Sequence, residues 1–121
     1  MHTYAFEKLE VWHDAKTLVV MIYKITGNFP VEEKFGIINQ IRRASIAIAS
    51  NIAEGSGRKT AKDQSHFYHI AYSSTLEVLN QLIISHELNF LILPDLNECR
   101  IQIEKITNKL NKLRNSLHIN K

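Results

Sequence analysis

The sequence predicts an all-α protein: an up-down-up-down antiparallel four-helix bundle, with residues 1–121 forming a single domain. Three observations carry this reading. Apolar residues recur at three- and four-residue intervals through four long segments, the period of a helix with one buried face. Helix breakers are few, Pro30, Pro94 and four glycines, so little interrupts long helices. At 121 residues and 45% apolar composition the chain can bury a core, and with Cys99 as its single cysteine no intrachain disulfide forms.

Helix 1 is expected from about Phe6 to Thr26, with Trp12, Ala15, Val19 and Ile22 on its inner stripe and Leu9, Leu18 and Ile25 widening it. Gly27-Asn28 suits a left-handed C-cap, and Phe29-Pro30 makes the turn. Helix 2 is expected from Val31 to Glu54, with Glu32 and Glu33 at its positive end. Ile38, Ile41, Ser45, Ile48 and Ile52 form its seam. Gln40, Ala44, Ala47, Asn51 and Glu54 make a neighbouring stripe whose small members admit another helix closely. Gly55-Ser56-Gly57 ends the helix.

Helix 3 is expected from Thr60, in a capping box with Asp63, to about Glu87. It carries two apolar stripes. Phe67, Ala71, Val78 and Leu82 form one, and Tyr68, Tyr72, Leu76, Leu79 and Ile83 the other. A bundle gives each helix one inner face, so the second stripe is read as an oligomer interface. Leu88–Leu93 is an apolar connection expected to be buried, and Pro94 opens helix 4. There Leu96, Cys99, Ile103, Ile106, Leu110, Leu113 and Leu117 keep strict a/d spacing.

Charge is unevenly placed. The net charge is +3, but from Arg100 onward six basic residues, Lys121 among them, face one acid, Glu104, so that segment carries +5 and the remainder −2. Arg100, Lys109 and Arg114 flank the helix 4 seam, where they either snorkel over the core or reach an external anion. The N-terminus has neither a basic n-region nor an apolar h-region, and no apolar run is long enough to span a bilayer. A cytoplasmic protein is expected.

Six histidines raise the question of a metal. Glu10/His13 and Asp63/His66 have the Glu-x-x-His type of spacing, with His69 one turn on. A di-iron bundle needs two further inward carboxylates, and helix 4 offers none in its seam, so no metal or other cofactor is expected. Cys99 at a seam position reads as an inert thiol. Arg114 and His118 lie too close together and too near the C-terminus for the paired Arg and His of helical ribonucleases. No enzyme, and no small-molecule substrate, is expected.

The segments Gln40-Ile41-Arg42-Arg43-Ala44 and Asn51-Ile52-Ala53-Glu54-Gly55-Ser56-Gly57-Arg58 carry a resemblance, as do Leu9-Glu10-Val11-Trp12 and Phe29-Pro30-Val31-Glu32-Glu33. Together they resemble the four-helix-bundle family encoded in intervening sequences of bacterial 23S ribosomal RNA genes, itself similar to the accessory variability protein of diversity-generating retroelements. The resemblance spans roughly the first ninety residues. The matching positions are Trp12, Gln40, Arg42, Arg43, Asn51, Glu54, Gly55 and Arg58, which are read as structural at Trp12, Gln40, Asn51, Glu54 and Gly55. It implies a bacterial cytoplasmic homo-oligomer, best a pentamer, with a nucleic-acid-associated role and no catalysis. On that reading Arg42, Arg43, Arg58, Lys59, Lys62, Arg100, Lys109 and Arg114 contact phosphates, and RNA or DNA is the partner. The competing reading is an oligomeric protein-interaction scaffold without nucleic acid.

Overall fold

Backbone breaks at Leu9, Gly36 and Gly57 cut the chain into its helices. The computed structural model describes residues 1–117. Within them lie four α-helices and no strand: α1 (Glu10–Thr26), α2 (Ile37–Ser56), α3 (Ala61–Glu87) and α4 (Leu93–Asn115). Short 3-10 turns precede α1 at Ala5–Lys8 and α2 at Val31–Glu33. Each helix packs on its neighbours in sequence and α1 packs on α4, which closes an antiparallel up-down-up-down bundle. Lys121 and His118 lie outside the described residues.

Ala15, Leu18 and Ile22 from α1, Ile41, Ile48 and Ile52 from α2, Ala71, Val78 and Leu82 from α3, and Cys99, Ile106 and Leu110 from α4 are fully buried. Burial, reinforced by Asp95 and Glu98, pushes the Cys99 thiol up to about 11, which keeps it protonated and unreactive at neutral pH. The seams expected for α2 and α4 are those observed, although Leu113 and Leu117 are only half-buried where α4 ends.

Several local expectations are corrected. The α1 seam is Val11, Ala15, Leu18, Ile22 and Thr26, one position off the expected stripe at its start. Trp12 instead sits at the flank, 4.9 Å from the Phe6 ring. Helix 2 starts at Ile37 rather than Val31, because Gly36 adopts φ −107°, ψ −118°, a conformation off the helical path. Phe35 is left 88% exposed just before it. Gly27 stays right-handed. The one non-glycine residue of positive φ among the described residues is Asn89, at 64°. It ends α3 in a Schellman motif, with Phe90 N–H donating to the Ser85 carbonyl at 2.9 Å and Asn89 N–H to that of His86 at 3.0 Å. In the following connection Leu91 is buried, but Leu88, Ile92 and Leu93 are exposed, contrary to the expected buried segment.

The α2–α3 contact is the most extensive in the bundle. Its key is Gly55. A Cβ there would lie 2.8 Å from Tyr68 Cε1 and 3.1 Å from Phe67 Cβ, and Tyr68 is only 3% exposed, so the ring has nowhere to go. Thr60 caps α3, its hydroxyl accepting from the Asp63 N–H at 3.1 Å. We expect Gly55→Ala to destabilise the fold by about 1–2 kcal/mol, the overpacking cost outweighing alanine's better helix propensity. Denaturant midpoints at unchanged slope would measure it. Gly57→Ala, whose Cβ would meet nothing nearer than 3.7 Å, is the control and should be neutral or slightly stabilising.

Candidate nucleic-acid interface

Antiparallel packing collects four helix termini at one end of the bundle. The last turn of α2 meets the first turns of α3 through Gly55 and Tyr68. The last turns of α4 reach α3 through Arg114 and α1 through Lys109. Arg58, Lys59, Lys62, Lys109 and Arg114 therefore share this end. Arg42 and Arg43 lie toward the opposite one, about 20 Å away along α2 at 1.5 Å per residue. Arg100, exposed, stands in the first half of α4. The eight cations grouped by sequence thus do not form one patch.

Their environments differ as much as their positions. Arg42 is half-buried: Nε donates to Thr26 Oγ1 at 2.9 Å and the guanidinium lies 4.5 Å from the Tyr23 ring centroid. It also reaches the Tyr23 carbonyl at 3.4 Å, so it serves the C-terminus of α1 and is withdrawn from the phosphate-contact set. Lys109 is withdrawn too. Its ammonium is 2.8 Å from Glu10 Oε1 and also hydrogen-bonds Asp14 Oδ2. The hydrogen bonds it donates to Asp14 and then to Glu10 hold the Lys109 ammonium above its ordinary range, and the bond from Lys109 holds the Glu10 carboxyl below its own.

Arg58 keeps a dual character. It pairs with Glu54 at 2.9 Å and stacks 4.4 Å over the Phe67 ring, yet its side chain remains 41% exposed. Gln64 Nε2 donates to the Arg58 carbonyl at 3.0 Å and fastens the corner. Lys59 and Lys62 are exposed, and among the described residues neither they nor Arg43 or Arg100 joins an ion pair. Asn51 donates to the Ala47 carbonyl at 2.8 Å, so its amide is used within α2.

Arg114 brings in residues that sequence reasoning had weighed only as metal ligands. Its Nε donates to Ser65 Oγ at 3.3 Å, and one terminal nitrogen lies 3.4 Å from His69 Nδ1. Lys62, His66 and His69 share one exposed stripe of α3, a spacing visible in the sequence, whereas the partner across the helix pair was not. The other histidine–carboxylate pair is divided: Glu10 turns to Lys109, and His13 Nε2 lies 2.7 Å from the Glu7 carbonyl oxygen. Among the described residues no group of three or more His, Cys, Asp or Glu side chains is arranged to hold a metal ion.

The oligomer stripe is also revised. Tyr68 belongs to the core and is unavailable to a partner. Tyr72 and Leu79 are half-buried, while Leu76 and Ile83 are 48% and 37% exposed. Val20, Tyr23 and Ile46 add a second exposed apolar strip where α1 meets α2.

A family model described as 23S rRNA-intervening sequence protein matches residues 7–112. A crystal structure of a protein with unknown function from the S23 ribosomal protein family of Bacteroides thetaiotaomicron VPI-5482 is similar in fold, with a TM-score of 0.78. It is 19% identical and covers 88% of this chain and 99% of its own. No curated protein matches this sequence. No described helix is long and apolar enough to cross a membrane.

The Lys109 cluster gives a test with a defined sign. Glu10, held low, contributes stability above its ordinary range that is lost as pH falls. Lys109, held high, contributes below its ordinary value and loses that contribution as pH rises past it. Both are in force at neutral pH. Lys109→Met should lower the Tm by about 2–5 °C at pH 7, and the deficit should shrink below about pH 4 as the carboxylates protonate. Thermal melts of both proteins across that range would show it.

Proposed function

The chain belongs to the 23S rRNA-intervening sequence protein family, and from that premise we propose that it is a non-catalytic protein of the cytoplasm that assembles with copies of itself and associates with nucleic acid. The observation that carries the proposal is the basic end of the bundle. Lys59 and Lys62 stand exposed at the α2–α3 corner, Arg58 is stacked beside them, and Arg114 is docked on the adjoining stretch of α3. The contacts are to phosphates rather than bases. Phe67 is covered by Arg58 and Tyr68 is buried, so neither offers a face for stacking. Binding is therefore tolerant of sequence, and the family's name points to ribosomal RNA as the first context to examine.

Self-assembly draws support from Leu76 and Ile83 on α3 and from Val20, Tyr23 and Ile46 on α1 and α2, all exposed. Five copies is the number the resemblance implies. A second reading rests on the same surface: exposed Ile84, Leu88, Ile92, Leu93 and Ile101 would suit a scaffold that binds another protein. Salt separates the two, because phosphate contacts weaken steeply with it and apolar docking does not.

Two experiments test the proposal. Light scattering at micromolar concentration should return a mass several times that of the protomer, and Leu76→Glu should lower it while helical circular dichroism persists. A monomeric wild type would refute assembly. For RNA, affinity for a single strand should fall roughly 20-fold between about 50 and 200 mM salt if three phosphates are engaged. Lys59→Gln with Lys62→Gln should make that slope shallower by about 1.4. No binding at low salt leaves the scaffold reading in possession.

A further inference from the structure

We infer that His69 and Arg114 form a proton-linked phosphate site, in which the backbone of a bound nucleic acid sits between an imidazolium and a guanidinium; this rests on the nucleic-acid reading above. His69 is exposed on α3, and Arg114 comes from the last turn of α4, half-buried and tied by its Nε to Ser65 Oγ at 3.3 Å. That bond uses Nε and leaves the terminal nitrogens of the guanidinium for other acceptors. One of them lies 3.4 Å from His69 Nδ1.

The protonation logic follows from the donor inventory. A guanidinium has donors only, so His69 Nδ1 accepts, and the imidazole in this contact is neutral with its proton on Nε2. A proton added to Nδ1 would turn the acceptor into a donor and oppose two cations across 3.4 Å. An anionic oxygen placed between them reverses the balance, accepting from both at once. No carboxylate of the described residues pairs with either group. Among the described residues the charged and titratable neighbours of His69 are Arg114 from α4 and, by spacing on α3, Lys62, His66 and Tyr72. Asp63 lies about 120° around that helix. Among the described residues no anion answers this pair, and Lys62, exposed on the same stripe, continues the cationic track along which a phosphate backbone would run.

A histidine changes charge within the physiological range, whereas a phosphodiester stays ionised throughout it. Binding therefore takes up a proton, and affinity should rise as pH falls. The probe is a fluorescein-labelled single-stranded RNA of about 20 nucleotides, read by anisotropy at constant ionic strength between about pH 8 and pH 6. The wild type should tighten about tenfold across that range, as one proton bound per complex would give. His69→Gln should lose most of the response to pH. His66→Gln should keep most of it, and Arg114→Gln should weaken binding at every pH. In the wild type the His69 ring signal in proton NMR should titrate at higher pH with RNA than without. Millimolar inorganic phosphate should move it less than RNA does, and an equal shift would assign the site to free phosphate and overturn the inference. RNA binding that is indifferent to pH, or a full response in His69→Gln, also overturns it while leaving nucleic-acid association intact. No RNA binding at any pH overturns both.

Discussion

The ring of Tyr68 lies on Gly55, so close that a methyl group there would meet it at 2.8 Å, and the basic end of the bundle is arranged around that contact. Because α2 carries no side chain at this point, α3 can start almost on its surface. That proximity sets Phe67 beneath the guanidinium of Arg58, and Gln64 within reach of the Arg58 carbonyl. At this corner Lys59 and Lys62 are exposed and, among the described residues, join no ion pair. The first turns of α3 are then placed where the last turn of α4 can dock through Arg114 and Ser65. A glycine that looks like a helix terminator is instead an internal residue of α2, which continues to Ser56.

The positive charge of the chain is divided between two structural tasks and an exposed remainder. Arg42 answers the carbonyls at the C-terminus of α1, where a cation is favoured and where Tyr23 supplies a ring to cover it. Lys109 neutralises two carboxylates and fastens α4 to α1; Asp14, 18% exposed at its side chain, is costly to leave unpaired. Lys59, Lys62 and Arg100 do neither. The excess charge read from sequence is therefore an upper bound on what a polyanion meets, and the placement of acids on the adjoining helix decides the remainder.

How much was legible follows the same division. The seams of α2 and α4 were plain because isoleucine and leucine occupy nearly every inward position. The seam of α3 was not, because Thr75 and Ser85 are fully buried in it. Their hydroxyls donate to the carbonyls of Ala71 and Gln81, at 2.8 and 2.7 Å, and so lose nothing by burial. An apolar count passes over such residues, and Tyr68 was consequently assigned to the wrong stripe. In α1 the early register slipped because one residue turns the helix by 100°, and Trp12 packs on Phe6 at the flank while Val11 faces inward. At the candidate interface the Lys62, His66 and His69 spacing was visible. Arg114, 45 residues further on from His69, was joined to it only by the fold.

The proposed assembly and the proposed nucleic-acid contact make demands on different parts of the surface, and this bundle separates the residues each would use. The exposed apolar side chains Leu76, Ile83, Val20 and Ile46 lie along helix flanks, whereas Lys59, Lys62 and Arg114 lie at a helix end. Protomers joined side by side with cyclic symmetry bury flanks and leave ends open. Every basic end then falls on the same face of the ring. In the proposed assembly a cluster of three or four cations would bind a phosphate backbone weakly in one protomer, but a ring would present it repeatedly to one strand, and the later contacts would form at high effective concentration. A nucleic acid bound in this way would gain affinity from the copy number rather than from base contacts, which suits a basic end whose rings, Phe67 and Tyr68, are covered or buried.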